Sequence, residues 1–131
     1  MNINEYFKEH KGTGVLATAD ENGKVNTAIY ARPHVFDDST VGFVMRDRLT
    51  RQNLLKNGNA NYMFIESGPA YKGMRLGLKF LGESTDSELI ASLAKRKSAE
   101  RQCNTEEARF LVSFSVEKGL ALVGGDEITL E

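Results

Sequence analysis

The chain has 131 residues, enough for one domain and one core by the usual scaling. Hydrophobic residues make up 40% and charged residues 27%, which excludes a disordered tail and a helical membrane protein. Seventeen basic and eighteen acidic residues give a net charge of −1, without the basic excess of a nucleic-acid-coating protein.

Apolar runs such as 15–17 and 110–112 fall far short of a membrane span. Residues 1–12 carry Glu5, Lys8, Glu9, His10 and Lys11 and no apolar core of signal-peptide length, so the expectation is a cytoplasmic protein. Cys103 is the only cysteine, which rules out an intrachain disulfide and a cysteine-cluster zinc site. Composition and length lead us to expect a single domain over residues 1–131.

A short helix opens the chain. Asn2 is its expected cap, Glu5 stands in capping-box spacing, and Ile3, Tyr6 and Phe7 give the apolar stripe up to Gly12. The period then changes to two. Val15, Ala17 and Ala19 share one face of a strand; Leu16 and Thr18 share the other. Asn22-Gly23 predicts a hairpin turn, because both residues tolerate positive φ. The second strand covers 24–31, with Val25, Thr27, Ile29 and Ala31 on one face and Asn26, Ala28, Tyr30 and Arg32 on the other. Arg32-Pro33-His34 interrupts it, and Val35-Phe36 lead into a turn at Asp37-Asp38-Ser39. A third strand follows at 40–45, then a helix at 50–57 with Leu54 and Leu55 as its core residues.

A fourth strand is expected at 61–66. After Ser67-Gly68-Pro69 comes a long strand at 71–82, whose glycines at 73, 77 and 82 predict curvature or a close approach. Thr85-x-x-Glu88 predicts a capping box for a helix with Leu89, Ile90, Leu93 and Ala94 inward and Lys95, Arg96, Lys97 and Arg101 in its last turns. A sixth strand at 110–116 and a closing pair at 120–123 and 127–130 complete the pattern. Consecutive strands joined by tight turns predict an antiparallel, mainly β fold with short helices. A barrel is the economical form, because it removes exposed edges.

Arg46, Arg48 and Arg51 fall within six residues where a strand gives way to a helix that begins at Thr50. A helix start carries unpaired N–H groups and partial positive charge, and with guanidinium groups beside it suits a phosphate. A capped surface helix with solvated arginines gives the same spacing. The Asn26-Thr27 pair in a mostly apolar strand invites a hydrogen-bonding role or marks a partly exposed face.

As an ordered set, these motifs have a family look. The run Gly14-Val15-Leu16-Ala17-Thr18-Ala19-Asp20, Gly23 and Val25-Asn26-Thr27 resembles the first hairpin of the pyridoxamine 5′-phosphate oxidase-like family, the FMN-binding split β-barrels. Gly42-Phe43-Val44-Met45 and then Thr50-Arg51-Gln52-Asn53-Leu54 resemble that family's next strand and phosphate-binding helix, and Tyr71-x-Gly73-Met74-Arg75-x-Gly77 its long glycine-bearing strand. The resemblance implies a homodimer with non-covalent FMN at the subunit interface. It assigns the phosphate to Thr50 and Arg51 with Arg46 or Arg48, and the ribityl chain or ring to Asn26, Thr27 and Ala28. It lays Val44 and Met45 against the flavin and brings Lys72 or Arg75 from the partner subunit.

The stretch Ile29-Tyr30-Ala31-Arg32-Pro33-His34 lacks the longer basic run of the pyridoxine-phosphate oxidases, so that activity is not expected. The short form is closer to the small bacterial FMN-binding proteins of the fold. The expected function is an FMN-dependent oxidoreductase or electron carrier with an unknown small-molecule or protein redox partner. A non-catalytic module holding FMN, haem or another flat cofactor is the alternative. A nucleic-acid-binding barrel using Arg46, Arg48, Arg51, Tyr30, Tyr62 and Phe64 is the weakest reading at this net charge. His10 and His34 have no metal-site spacing, so no metal is expected. Cys103 beside Arg101 is read as a packed cysteine rather than a reactive one.

Overall fold

A computed structural model of the chain describes residues 1–95 and 108–130. Three helices and eight strands are seen among these residues. In chain order they are α1 (Ile3–Glu9), β1 (Gly12–Ala19), β2 (Val25–Ile29), β3 (His34–Asp37), β4 (Thr40–Arg46), α2 (Leu49–Lys56), β5 (Asn59–Glu66), β6 (Gly73–Ser84), α3 (Ser87–Lys95), β7 (Arg109–Ala121) and β8 (Glu127–Ile128). No described helix is long and apolar enough to cross a membrane. Cys103, Arg96, Lys97 and Arg101 lie outside the described residues.

All strand pairs are antiparallel, in the order β2-β1-β5-β6-β7-β4-β3, with β8 added to β7. The two ends of that path, β2 and β3, are joined by residues 30–33 alone. Such a link spans at most about 18 Å. Seven strands laid flat would put their outer members about 29 Å apart. The sheet therefore curls, and its inner face closes on itself. Phe43 of β4 packs on Tyr30 beside β2, on Tyr62 of β5 and on Phe114 of β7, at centroid distances of 5.8, 5.0 and 5.9 Å. Leu16, Val41, Leu76, Leu78 and Val112 complete the buried interior with α1 residues Ile3, Tyr6 and Phe7. A second small cluster, Ile90, Leu93 and Leu111, seats α3 on β7.

The expected mainly β architecture holds, with local differences. Gly23 has φ +81°, but Asn22 does not take positive φ. Asp20 Oδ1 accepts from the Asn22 and Lys24 amides, each at 2.9 Å, so the hairpin turns through a three-residue loop closed by glycine. Residues 34–37 form a strand rather than an approach to a turn, because their backbone pairs with β4. β7 runs unbroken past Val116 to Ala121, and β8 is shorter than the expected closing strand. The long strand's irregularities fall at Gly77/Leu78 and Phe80/Gly82, where the register against β7 shifts, which is how two of its glycines are used. Asp86, not Thr85, caps α3 through the Glu88 and Leu89 amides, and Leu89 lies exposed rather than in the buried stripe. α1 ends at Glu9 with His10 as its C-cap, so Gly12 opens β1 instead of closing the helix.

Candidate functional site

β4 delivers the chain to the start of α2, and α2 packs against β1 and β2. Leu54 drives that docking from within the core. A buried polar contact fixes it: Asn53 Nδ2 donates to Thr18 Oγ1 at 3.1 Å, and both residues are buried. Asn57 Nδ2 adds a bond to the Asp20 carbonyl at 3.3 Å, tying the helix end to the hairpin.

The start of α2 is chemically distinctive. Arg48 occupies the cap position in extended conformation and makes no side-chain capping bond. No acidic residue stands in the first turn. The first-turn amides, which have no intrahelical acceptor, therefore add to a positive end flanked by Arg46 and Arg48. Arg46 is half-buried and Arg48 exposed.

Thr50 is only 4% exposed, and its hydroxyl bonds the Tyr30 phenol. Burial raises the Tyr30 pKa, and the Thr50 bond opposes that shift. What Thr50 can offer a ligand is therefore its backbone amide. Arg51 is heavily committed. Its Nε and Nη2 grip Glu83 at 3.0 and 2.7 Å, its Nη1 reaches Asp47 at 3.0 Å, and its guanidinium lies 3.7 Å from the centroid of the Phe110 ring. The Glu83 bond, ahead of the Asp47 one, raises its pKa further. A phosphate on Arg51 would compete with two carboxylates.

The remaining expected site residues separate by strand phase. Asn26 pairs with Thr18 and Ala28 with Leu16, so these two face inward and toward α2. Thr27 pairs with Ala17 and is exposed on the outer face. Met45 is 2% exposed, inside the barrel core, and Val44 packs on the α3 cluster. In this arrangement the Met45 side chain does not line an open surface. Lys72 is exposed just before β6. Arg75 bonds the Ala121 and Gly124 carbonyls near the opposite end of β6 from Glu83, about 26 Å away along the strand. Within one chain, then, the structure gathers Asn26, Ala28, Arg46, Arg48, Thr50 and Arg51, and it leaves Lys72 and Arg75 apart.

The outer face of β1, β2 and β5 is mostly apolar, with Thr27 and Asn61 among its polar members. Val15, Ala17 and Ala19 of β1 pair with Ile29, Thr27 and Val25 of β2, and Val15 pairs with Met63 of β5, which pairs with Arg75. Val25 and Ile29 are 75% and 71% exposed.

Sequence reasoning did not single out Asp47, Glu83 and Phe110 as the partners of Arg51, nor the Thr18–Asn53 pair. A polar Thr18 in the inward phase of an apolar strand was the available signal for that pair. Tyr62 and Phe64 are fully buried, so neither presents a ring for stacking a base.

No family model and no curated protein matches the chain. Solved structures do. An FMN-binding protein from Syntrophomonas wolfei superposes with TM-score 0.77 at 17% identity, over 95% of this chain and 86% of that one. A Lactobacillus delbrueckii protein provisionally assigned as a pyridoxamine 5′-phosphate oxidase gives 0.64 at 17%, over 92% and 90%. HutZ, the haem storage protein from Vibrio cholerae, gives 0.64 at 20%, over 91% of each chain. The chain has the antiparallel split-barrel fold that these FMN-binding, oxidase-like and haem-storing proteins share.

Proposed function

We propose that the protein binds FMN without a covalent bond, as a homodimer, and works as a flavin-dependent oxidoreductase or electron carrier. The observation that carries this reading is the start of α2: uncapped, free of acids in its first turn, and flanked by Arg46 and Arg48 beside β2. That donor set fits a phosphate.

Arg46, Arg48 and the amides of Thr50 and Arg51 would hold the phosphate, and Arg51 through Glu83 would also keep the helix start in place. Asn26, Thr27 and Ala28 would meet the ribityl chain or ring. Val44 and Met45 would contribute through the backbone of β4. Arg75 shares the outer apolar face with β2, so pairing through that face would bring it, with Lys72, toward the partner's flavin. A bound flavin supplies the electron transfer; the protein sets its position, potential and access.

The test is the visible spectrum of the purified protein, then titration of the stripped protein with FMN and riboflavin. FMN should bind far more tightly than riboflavin. Arg48→Ala should weaken FMN by about tenfold or more, as expected for losing one charge-assisted bond, and leave riboflavin unchanged. A protein that ignores FMN refutes the flavin reading; equal affinity for both ligands removes the phosphate site.

A haem reading is favoured by the likeness to the Vibrio cholerae haem storage protein. A Soret band on adding haem, with no response to FMN, would support it instead.

A further inference from the structure

We propose a second, independent ligand site, one that takes a fragment-sized organic anion. It is the cleft of about 270 Å³ between α1 and the 32–35 segment, lined by Asn4, Phe7, Lys8, Arg32, Pro33, His34 and Val35.

The cleft has two unlike walls. Phe7, Pro33 and Val35 make an apolar side; Lys8, Arg32 and His34, with the Asn4 amide, make a polar one. No carboxylate lines it among the described residues. Arg32 is fixed in place. Its Nη1 donates to the Phe7 and His10 carbonyls at 2.6 and 3.0 Å, which satisfies the last carbonyls of α1. A guanidinium carries five N–H donors. The described bonds use Nη1 alone, which leaves Nε and Nη2 for a bidentate anion. Half-burial limits its rearrangement cost, and Lys8 adds a mobile second charge from the last turn of the helix.

Size decides the ligand class. The volume lies just under the range of roughly 300–1,000 Å³ typical of drug-sized ligands, so the occupant is a small one. The two walls ask for an anionic head on a compact apolar body, as in an aromatic carboxylate. Binding here is separate from the flavin reading. His34 and Val35 pair with Gly42 and Val41, whereas α2 follows Arg46, about 13 Å further along β4.

The experiment is calorimetric titration of the full chain with benzoate, with benzamide as its neutral counterpart and inorganic phosphate as a bare anion. Benzoate should bind saturably with a Kd of about 1 mM or tighter, and benzamide and phosphate at least about tenfold more weakly. Lys8→Glu, an exposed change that leaves the α1 cap intact, should weaken benzoate by about tenfold or more at an unchanged melting temperature. Arg32→Met should abolish binding, and it is read only if its thermal transition shows a folded protein. Absence of saturable benzoate binding to the folded protein overturns the proposal. So does equal binding of benzamide or phosphate, or an affinity that Lys8→Glu leaves unchanged.

Discussion

At Gly14 the barrel has no room for a methyl group. A Cβ there would stand 1.9 Å from the Tyr62 hydroxyl oxygen and 2.5 Å from the Tyr30 carbonyl oxygen. The same hydroxyl donates to that carbonyl at 3.2 Å, bridging β5 to the end of β2. Burial pushes the Tyr62 pKa up, so the phenol stays protonated and keeps this bond well into alkaline conditions. Gly14→Ala should therefore destabilise the fold by about 3 kcal/mol, near the upper end for overpacking a core. Urea denaturation of the two proteins measures it; an unchanged midpoint would mean that Tyr62 swings away at no cost. The sequence shows Gly14 at the head of an apolar, family-like strand, with nothing to say what it packs against. A side chain 48 positions on is what makes it obligatory. Arg51 teaches the same lesson in reverse. Its charge and position were legible as phosphate-binding chemistry, but Glu83 and Phe110, which occupy it, lie far along the chain.

Elements were more legible than their partners. Period-two alternation in 15–19 reports which side chains face the core, and the barrel obeys it: Leu16 and Thr18 are buried, Val15 and Ala17 half-exposed. The strand at 34–37 was hidden because Pro33 reads as a break and only four residues follow before the turn; pairing with β4, a tertiary event, makes it a strand. Capping was similarly ambiguous at α3, where Thr85 and Asp86 are both good cap residues and only the backbone geometry selects Asp86. For α2, Leu54 supplies the apolar anchor in the core, and the buried Thr18–Asn53 bond fixes the helix in place. Asn53→Ala would strand the Thr18 hydroxyl, at a cost of about 1–3 kcal/mol. Because the same contact holds the helix start, the variant should also lose FMN affinity at temperatures where it remains folded. FMN binding like that of the unaltered protein, despite the lower stability, would show that the helix start is positioned by Leu54 alone.

The curled sheet buries one face and leaves the other to solvent or to a partner, and the two faces were predictable from alternation while their fates were not. On β2-β1-β5 the outward residues include Val25, Ile29, Val15, Ala17, Ala19, Met63 and Ile65, an apolar group interrupted by Thr13, Thr27 and Asn61 and larger than single surface side chains explain. β2 also ends the sheet path, so its outer backbone groups are available for contact. A homodimer formed here would cover the apolar face, on which Thr27 and Arg75 both lie, and this links association to the proposed cofactor site. A stable interface of this kind buries about 800 Å² per partner. Ile29→Glu puts a carboxylate in the middle of that area, where it would have no water and no nearby cation on its own strand. The variant should sediment as a monomer at concentrations where the unaltered protein is dimeric, while its circular dichroism stays the same, because Ile29 contributes little to the core at 71% exposure. FMN affinity should fall with it. A dimer that survives the substitution moves the interface elsewhere, and a monomer that still binds FMN tightly confines the cofactor to residues of one chain, removing Lys72 and Arg75 from the site.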